Sequence, residues 1–257
     1  GTKQRGVGTS PDQAGFDEHC LWHVRARGSR YWDPLVQTNG AAEKKLTGRY
    51  GPDVFLEYAE GFIRRNRERP FFLYYPLVLT HDPYVPAPSS GETTAEEKSK
   101  DDTKWFGDMV EYTDTIVGRL LACIERNGIA GNTLVIFTGD NGTRLGVTSQ
   151  TVDGPVTGAK GLTTAGGTHV PLIAKWPGKS ASGATCRDLI DFTDVFPTLS
   201  EAAGVPMPKD HPLDGRSFLP QIQGKTGNPR EWIFCHYAPK WDGRHHRRWG
   251  MDHRWKH

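Results

Sequence analysis

The chain has 257 residues, 36% apolar and 24% charged, a composition that fits one large or two small globular domains with a real core. A formal net charge of +2 argues against the strongly basic footprint of a nucleic-acid binder. No apolar run reaches the roughly 18 residues that a membrane-spanning helix needs. Four scattered cysteines, Cys20, Cys123, Cys186 and Cys235, form no CxxC pair, which argues against a zinc or thioredoxin-type site. The sequence opens Gly1-Thr2-Lys3 without a Met or a visible signal peptide and stops at Trp255-Lys256-His257 without a tailing segment, so truncation at both ends is expected. The basic run 244–256 reads as a solvated end.

In chain order, residues 1–50 interleave Gly, Pro and aromatics and read as irregular. A helix follows: Pro52 suits a first turn, Phe55, Tyr58, Ala59, Phe62 and Ile63 keep helical spacing, and Pro70 blocks extension. The aromatic run 71–75 has the pattern of a strand buried on both faces, and 80–100 is a surface loop. A long amphipathic helix is expected over 103–127, with Phe106, Met109, Val110, Thr113, Ile116, Val117, Leu120, Leu121 and Ile124 on one face and Cys123 in the core. Asn127 and Gly128 stop it. Strand 133–137, a Gly- and Thr-rich loop over 142–168, strand 170–176, helix 191–203 capped by Gly204, and strand 232–237 complete the pattern. Alternating strands and helices predict an α/β domain with a largely parallel sheet covered by helices.

In such sheets ligands bind beyond the C-terminal ends of the strands. Asp140 is the first acidic residue after strand 133–137, and Asn141 follows it between Gly139 and Gly142. The pair supplies hard oxygen donors that suit Ca²⁺ or Mg²⁺; the same residue types also make an ordinary turn. In Gly158-Ala159-Lys160-Gly161 the glycines permit close backbone approach, and Lys160 offers a point charge to an oxyanion, although surface lysines between glycines are common. His81, in the loop after 71–75, is able to donate to an anion or protonate a leaving group, or is an ordinary loop histidine.

Together and in this order, the segments resemble the formylglycine-dependent sulfatases of the alkaline-phosphatase superfamily. The resemblance rests on FFLYYPLVLTHDPYVPAP, WFGDMVEYTDTIVGRLLACIERNGIAGNTLVIFTGDNG, GAKGLTTAGGTHVPLIAKWPG, DLIDFTDVFPTLSEAAGV and LDGRSFLP, with GFDEHCLWH upstream, and covers roughly 15–237. It implies a three-layer α/β sandwich, alkaline-phosphatase-like and incomplete, with a mostly parallel, mixed central sheet flanked by helices. It implies a partial α/β domain over 1–225 and the start of a truncated C-terminal subdomain over 226–257. It further implies one divalent cation, usually Ca²⁺, and a formylglycine nucleophile made from a Cys or Ser in a Cys-x-Pro/Ala-x-Arg context. In that chemistry the hydrated aldehyde attacks sulfur, expels the alcohol and then eliminates sulfate. By matching motif, Asp140 and Asn141 are metal ligands, Lys160 contacts the sulfate and the leaving oxygen, and His81 holds a sulfate oxygen and assists the departing alcohol. The implied substrate is a sulfated small molecule or carbohydrate, and the implied location is periplasmic, secreted or lysosomal.

The sequence departs from the family pattern in ways that matter. None of the four cysteines fits the nucleophile motif, no serine version is present, and the paired N-terminal aspartates and a second Lys/His pair are missing. After Lys160 the loop reads Ala165-Gly166-Gly167-Thr168-His169-Val170-Pro171 where many members have Glu-Gly-Gly-x-Arg-Val-Pro. The chain alone is therefore expected to be inactive and to bind metal weakly, as a partial copy of an active enzyme or as an inactive shortened paralogue. A phosphohydrolase or phosphotransferase of the same superfamily is the other alternative; it would use two zinc ions held by Asp and His clusters, and no His stands at ligand spacing around Asp140.

Further residues divide between roles. Asp82 reads as a surface acid beside His81, Asp114 as a solvated helix residue, and His169 as packing before a strand or as site rim. His19, Trp22, His23, Arg30, Tyr31 and Trp32 form an aromatic and basic cluster that would stack on a sugar or pack in the core. His236 and Trp241 are candidates for a substrate rim.

Overall fold

A computed structural model describes residues 10–22, 28–210, 212–238 and 246–256. His23 and Trp241 lie outside the described residues. The chain forms two compact units, Gly1–Ile129 and Ala130–His257.

The first unit opens with a small antiparallel sheet of β1 (Cys20–Trp22), β2 (Leu35–Thr38) and β3 (Lys44–Lys45), with Cys20 opposite Thr38 and Leu35 opposite Lys45. These strands fall in the segment read as irregular; at two to four residues each they are too short to display alternation. Helix α1 (Gly51–Asn66) carries Pro52 in its first turn, as the sequence indicates, and buries Phe55, Leu56, Ala59 and Ile63. Asp53 at its start and Arg64 and Arg65 at its end suit the helix dipole. Helix α2 (Phe106–Arg126) follows a 3₁₀ turn, Thr103–Trp105, capped by the Asp102 carboxylate, which accepts from the Lys104 N–H. It buries Met109, Tyr112, Ile116, Cys123 and Ile124, so its inward stripe follows the expected period, while Val110 faces solvent. The two helices are tied by polar contacts as well as packing: the Tyr112 hydroxyl donates to Asp53 at 2.9 Å, and Arg119 Nη1 pairs with the same carboxylate at 2.9 Å.

The run 71–75 is not the doubly buried strand expected of it. It pairs with no strand among the described residues, and its side chains alternate, with Phe72 59% and Tyr74 65% exposed. Hydrophobicity alone cannot form a strand; a ladder needs a partner for each N–H and C=O.

In the second unit the elements are β4 (Val135–Thr138), β5 (Thr148–Thr151), β6 (Gly154–Thr157), α3 (Ala165–Thr168), β7 (Leu172–Lys175), α4 (Val195–Ala203), α5 (Leu219–Ile222), β8 (Trp232–Tyr237) and β9 (Arg247–Asp252). The expected parallel central sheet is not seen: every strand pair among the described residues is antiparallel, in four small sheets. Strand β4 runs against β7, with Val135 opposite Lys175 and Thr138 opposite Leu172. Parallel pairing would need a crossover, usually helical, between the two strands. The chain instead connects them through the β5–β6 hairpin and the four residues of α3.

A 3₁₀ turn, Phe192–Asp194, opens on a capping box of Asp191 and Asp194 and leads into α4, which ends at Gly204, whose φ of 67° is the left-handed cap expected of that glycine. Asp194 and Arg230 form a buried pair: Arg230 Nη2 lies 2.6 Å from Asp194 Oδ1, and the Arg216 N–H donates to the same oxygen at 2.7 Å. Arg230 also donates to the Asp214 carbonyl at 2.8 Å, so one guanidinium joins the start of α4 to the loop before α5.

Candidate functional site

The second unit gathers three of the four site residues expected from sequence. Asp140 and Asn141 follow β4 directly, with Asp140 exposed and Asn141 half-buried. The loop carrying Lys160 lies against them through backbone contacts: the Lys160 N–H donates to the Thr143 carbonyl at 2.9 Å, and the Gly142 N–H donates to the Gly167 carbonyl at 3.1 Å. Glycine is required where the strands of this loop cross. A methyl group on Gly142 would sit 1.9 Å from the Gly166 carbonyl oxygen, and one on Gly158 would sit 2.2 Å from that of Arg144. The backbone is thus fixed by main-chain bonds and close crossings, and the Lys160 side chain remains exposed to solvent.

The donors at Asp140 and Asn141 are a carboxylate and an amide oxygen, which fits a hard divalent cation. As ligands they would fill two of the roughly 6–8 oxygen positions around a Ca²⁺. Among the described residues no group of three His, Cys, Asp or Glu side chains is placed to hold a metal.

His81 belongs to the first unit, in a turn closed by its own N–H, which donates to the Val78 carbonyl at 3.1 Å. Its ring is about half exposed, and Nδ1 lies 2.5 Å from the Asp82 carboxylate and 2.8 Å from the Asp82 carbonyl. Both neighbours are acceptors, so Nδ1 carries the proton and Nε2 is the nitrogen offered to a ligand. Asp82, read as a surface acid, orients the ring.

The remaining candidates separate by structure. Asp114 is exposed on α2. His169 is exposed, and its N–H caps α3 by donating to the Ala165 carbonyl at 2.8 Å. The His19 N–H donates to Asn39 Oδ1 at 2.7 Å, and Trp22 Nε1 donates to the Gly28 carbonyl at 2.8 Å. Arg30 lies 4.1 Å from the Trp22 ring centroid and Lys98 4.1 Å from that of Trp32, so a cation already covers one face of each indole. Tyr31 is buried against Tyr50. The described members of this cluster thus make internal contacts. His236 stacks edge-on with His246, ring centroids 5.8 Å apart, across the β8–β9 hairpin.

Sequence reasoning missed two long side chains. The basic run read as a solvated end includes β9, from which Arg247 Nη1 donates to the Gly161 carbonyl at 2.9 Å. Lys256 Nζ donates to Thr168 Oγ1 at 3.1 Å. Nothing in a cluster of Arg and Lys marks which of them reaches a loop some 90 residues upstream.

The fold is one already seen in solved structures. The solved structure of Ps i-CgsB in complex with k-i-k-neocarrahexaose superposes with a TM-score of 0.76 at 23% identity, covering 100% of this chain and 59% of that one. The family model described as Sulfatase matches residues 3–205, and that described as N-sulphoglucosamine sulphohydrolase, C-terminal, matches 160–256. The chain belongs to the sulfatase family. It is 32% identical over 183 residues to steryl-sulfatase of Mus musculus, which covers 69% of this chain and 28% of the relative. It is also 32% identical over 256 residues to the uncharacterized sulfatase YdeN of Escherichia coli strain K12, covering 91% of this chain and 43% of the relative. The chain thus spans less than half the length of these curated relatives.

Proposed function

We propose that this chain is part of a sulfuric ester hydrolase and carries its sulfate- and metal-binding residues. Breaking a sulfate ester builds negative charge on the departing oxygen, so catalysis needs fixed positive charge and a proton there. In this reading Lys160 holds sulfate and leaving-group oxygens, and His81, in its doubly protonated form with Nδ1–H held by Asp82, holds a sulfate oxygen through Nε2–H and passes that proton to the departing alcohol. Asp140 and Asn141 would hold the cation, Ca²⁺ or Mg²⁺, which when bound supplies charge stabilisation to the sulfate. The formylglycine would come from a part of the protein outside this sequence, because no cysteine here stands in its motif. The observation that carries the reading is the 2.9 Å bond from the Lys160 N–H to the Thr143 carbonyl, which holds the lysine's loop two residues from Asn141.

The proposal extends to organisation and context. Residues 1–225 belong to the α/β domain and 226–257 begin a C-terminal subdomain; the substrate is a sulfated small molecule or carbohydrate; the compartment is the periplasm, the lysosome or the cell exterior. Steryl-sulfatase by name and Ps i-CgsB by its bound oligosaccharide support those two substrate classes. Among the described residues no helix is long and apolar enough to cross a membrane.

The test is an assay of the full-length gene product, co-expressed with a formylglycine-generating enzyme, on aryl sulfate, carbohydrate sulfates and aryl phosphate. Faster release of sulfate than phosphate is expected. Preferential phosphate release would favour a phosphohydrolase, and a matured full-length protein inactive on all of them would favour the inactive paralogue.

A further inference from the structure

We propose that Tyr31 is a positioning residue for His81, acting through the backbone of the turn that carries the imidazole. Tyr31 is 1% exposed and stacks on Tyr50 at 6.0 Å between ring centroids. Its hydroxyl meets the Val78 carbonyl at 2.7 Å and also the carbonyl of His81. Those two carbonyls lie at the two ends of the 78–81 turn, and the turn is already closed by the His81 N–H donating to the Val78 carbonyl. The phenol is therefore inserted at the base of the turn and touches it at both ends.

A buried tyrosine needs one acceptor for its proton, and either carbonyl would serve. Contact with both has a geometric consequence. Holding the His81 carbonyl fixes the peptide plane between His81 and Asp82. The chain leaves that plane at the Asp82 Cα, and Asp82 meets Nδ1 with both its carboxylate and its carbonyl, so where Asp82 is placed decides how the ring is held. The next residue grips the same loop further on, with Trp32 Nε1 donating to the Pro86 carbonyl at 2.8 Å. Burial pushes the Tyr31 phenol above its ordinary range, so it stays a donor where the enzyme would work.

The inference rests on the role proposed for His81, and the experiment separates the two. In the matured full-length protein, kcat and KM are measured on aryl sulfates with increasingly basic leaving phenols for wild type, Tyr31→Phe, His81→Ala and the double variant. Tyr31→Phe is expected to lower kcat by about 10–100-fold with little change in KM, more for the more basic phenols. In the His81→Ala background the same change should add less than about twofold, since residues acting as one unit are not additive. Placing 4-fluorophenylalanine at position 31 fills the hydroxyl's volume without a donor. It should reproduce the Phe result, and it decides the matter if Phe does not fold. Equal losses in both backgrounds, or no loss in wild type, would overturn the role of Tyr31. An unchanged kcat in His81→Ala would sink the assignment of His81 and this inference with it.

Discussion

Gly142 and Lys160 sit in one loop cluster but should respond to mutation in opposite ways. A methyl group on Gly142 has no room, with a carbonyl oxygen 1.9 Å away and main chain behind it. Gly142→Ala should therefore destabilise the protein by about 1–3 kcal/mol, read from urea unfolding, and weaken metal binding with it. Lys160 is held by its N–H, while its side chain is exposed. Lys160→Ala in the full-length enzyme should lower kcat on aryl sulfate by about 10²–10³-fold and leave the melting temperature unchanged. A variant with normal turnover would remove Lys160 from the site. The sequence puts Asp140, Asn141 and Lys160 forward only through the order of its motifs, since each taken alone is also an ordinary turn or a surface lysine. Tyr31 was not legible there, because its partners are main-chain carbonyls 47 and 50 residues away, which no side-chain pattern encodes.

Among the elements, α4 depends on a pair that the sequence did not bring forward. Burial works to raise the Asp194 carboxyl, but the Arg230 guanidinium and the N–H groups of Arg216 and Asp191 outweigh it and hold the carboxyl below its ordinary value of 3.8. A depressed carboxylate stabilises the fold above its unfolded pKa, and that stability drains away as pH falls through the folded value. Arg230→Met leaves the carboxylate buried and unpaired at pH 7, where it should cost about 3–5 kcal/mol. The gap between mutant and wild-type urea midpoints should narrow as the pH is lowered through the carboxylate range, because protonation relieves the unpaired carboxylate of the mutant and removes the paired one's contribution in the wild type; a gap independent of pH would count against the pair. The helices themselves were readable, since α1 and α2 repeat apolar residues over many turns. The strand directions were not. A buried β-branched run such as 133–137 looks the same in a parallel or antiparallel ladder, and only the geometry of the intervening 139–171 settles that β4 faces β7 antiparallel.

At the scale of the whole molecule, the sequence order of the motifs carried the family assignment, and the match over residues 3–205 shows it. With Asp140 and Asn141 as its only proposed donors, this chain alone should bind Ca²⁺ more weakly than about 1 mM, as measured by calorimetry, and Asp140→Asn should reduce the binding further. Submillimolar binding by the isolated chain would mean that it supplies ligands beyond Asp140 and Asn141.

The aromatic run 71–75, with Phe72 and Tyr74 turned outward and no ladder partner among the described residues, also bears on how the chain behaves in the test tube. Exposed aromatic side chains on a segment outside any sheet favour association between copies. Expressed by itself, the polypeptide should collect in inclusion bodies or elute as soluble aggregates. Tyr74→Lys, which replaces an exposed aromatic ring with a charge, should raise the monomer fraction in size-exclusion chromatography.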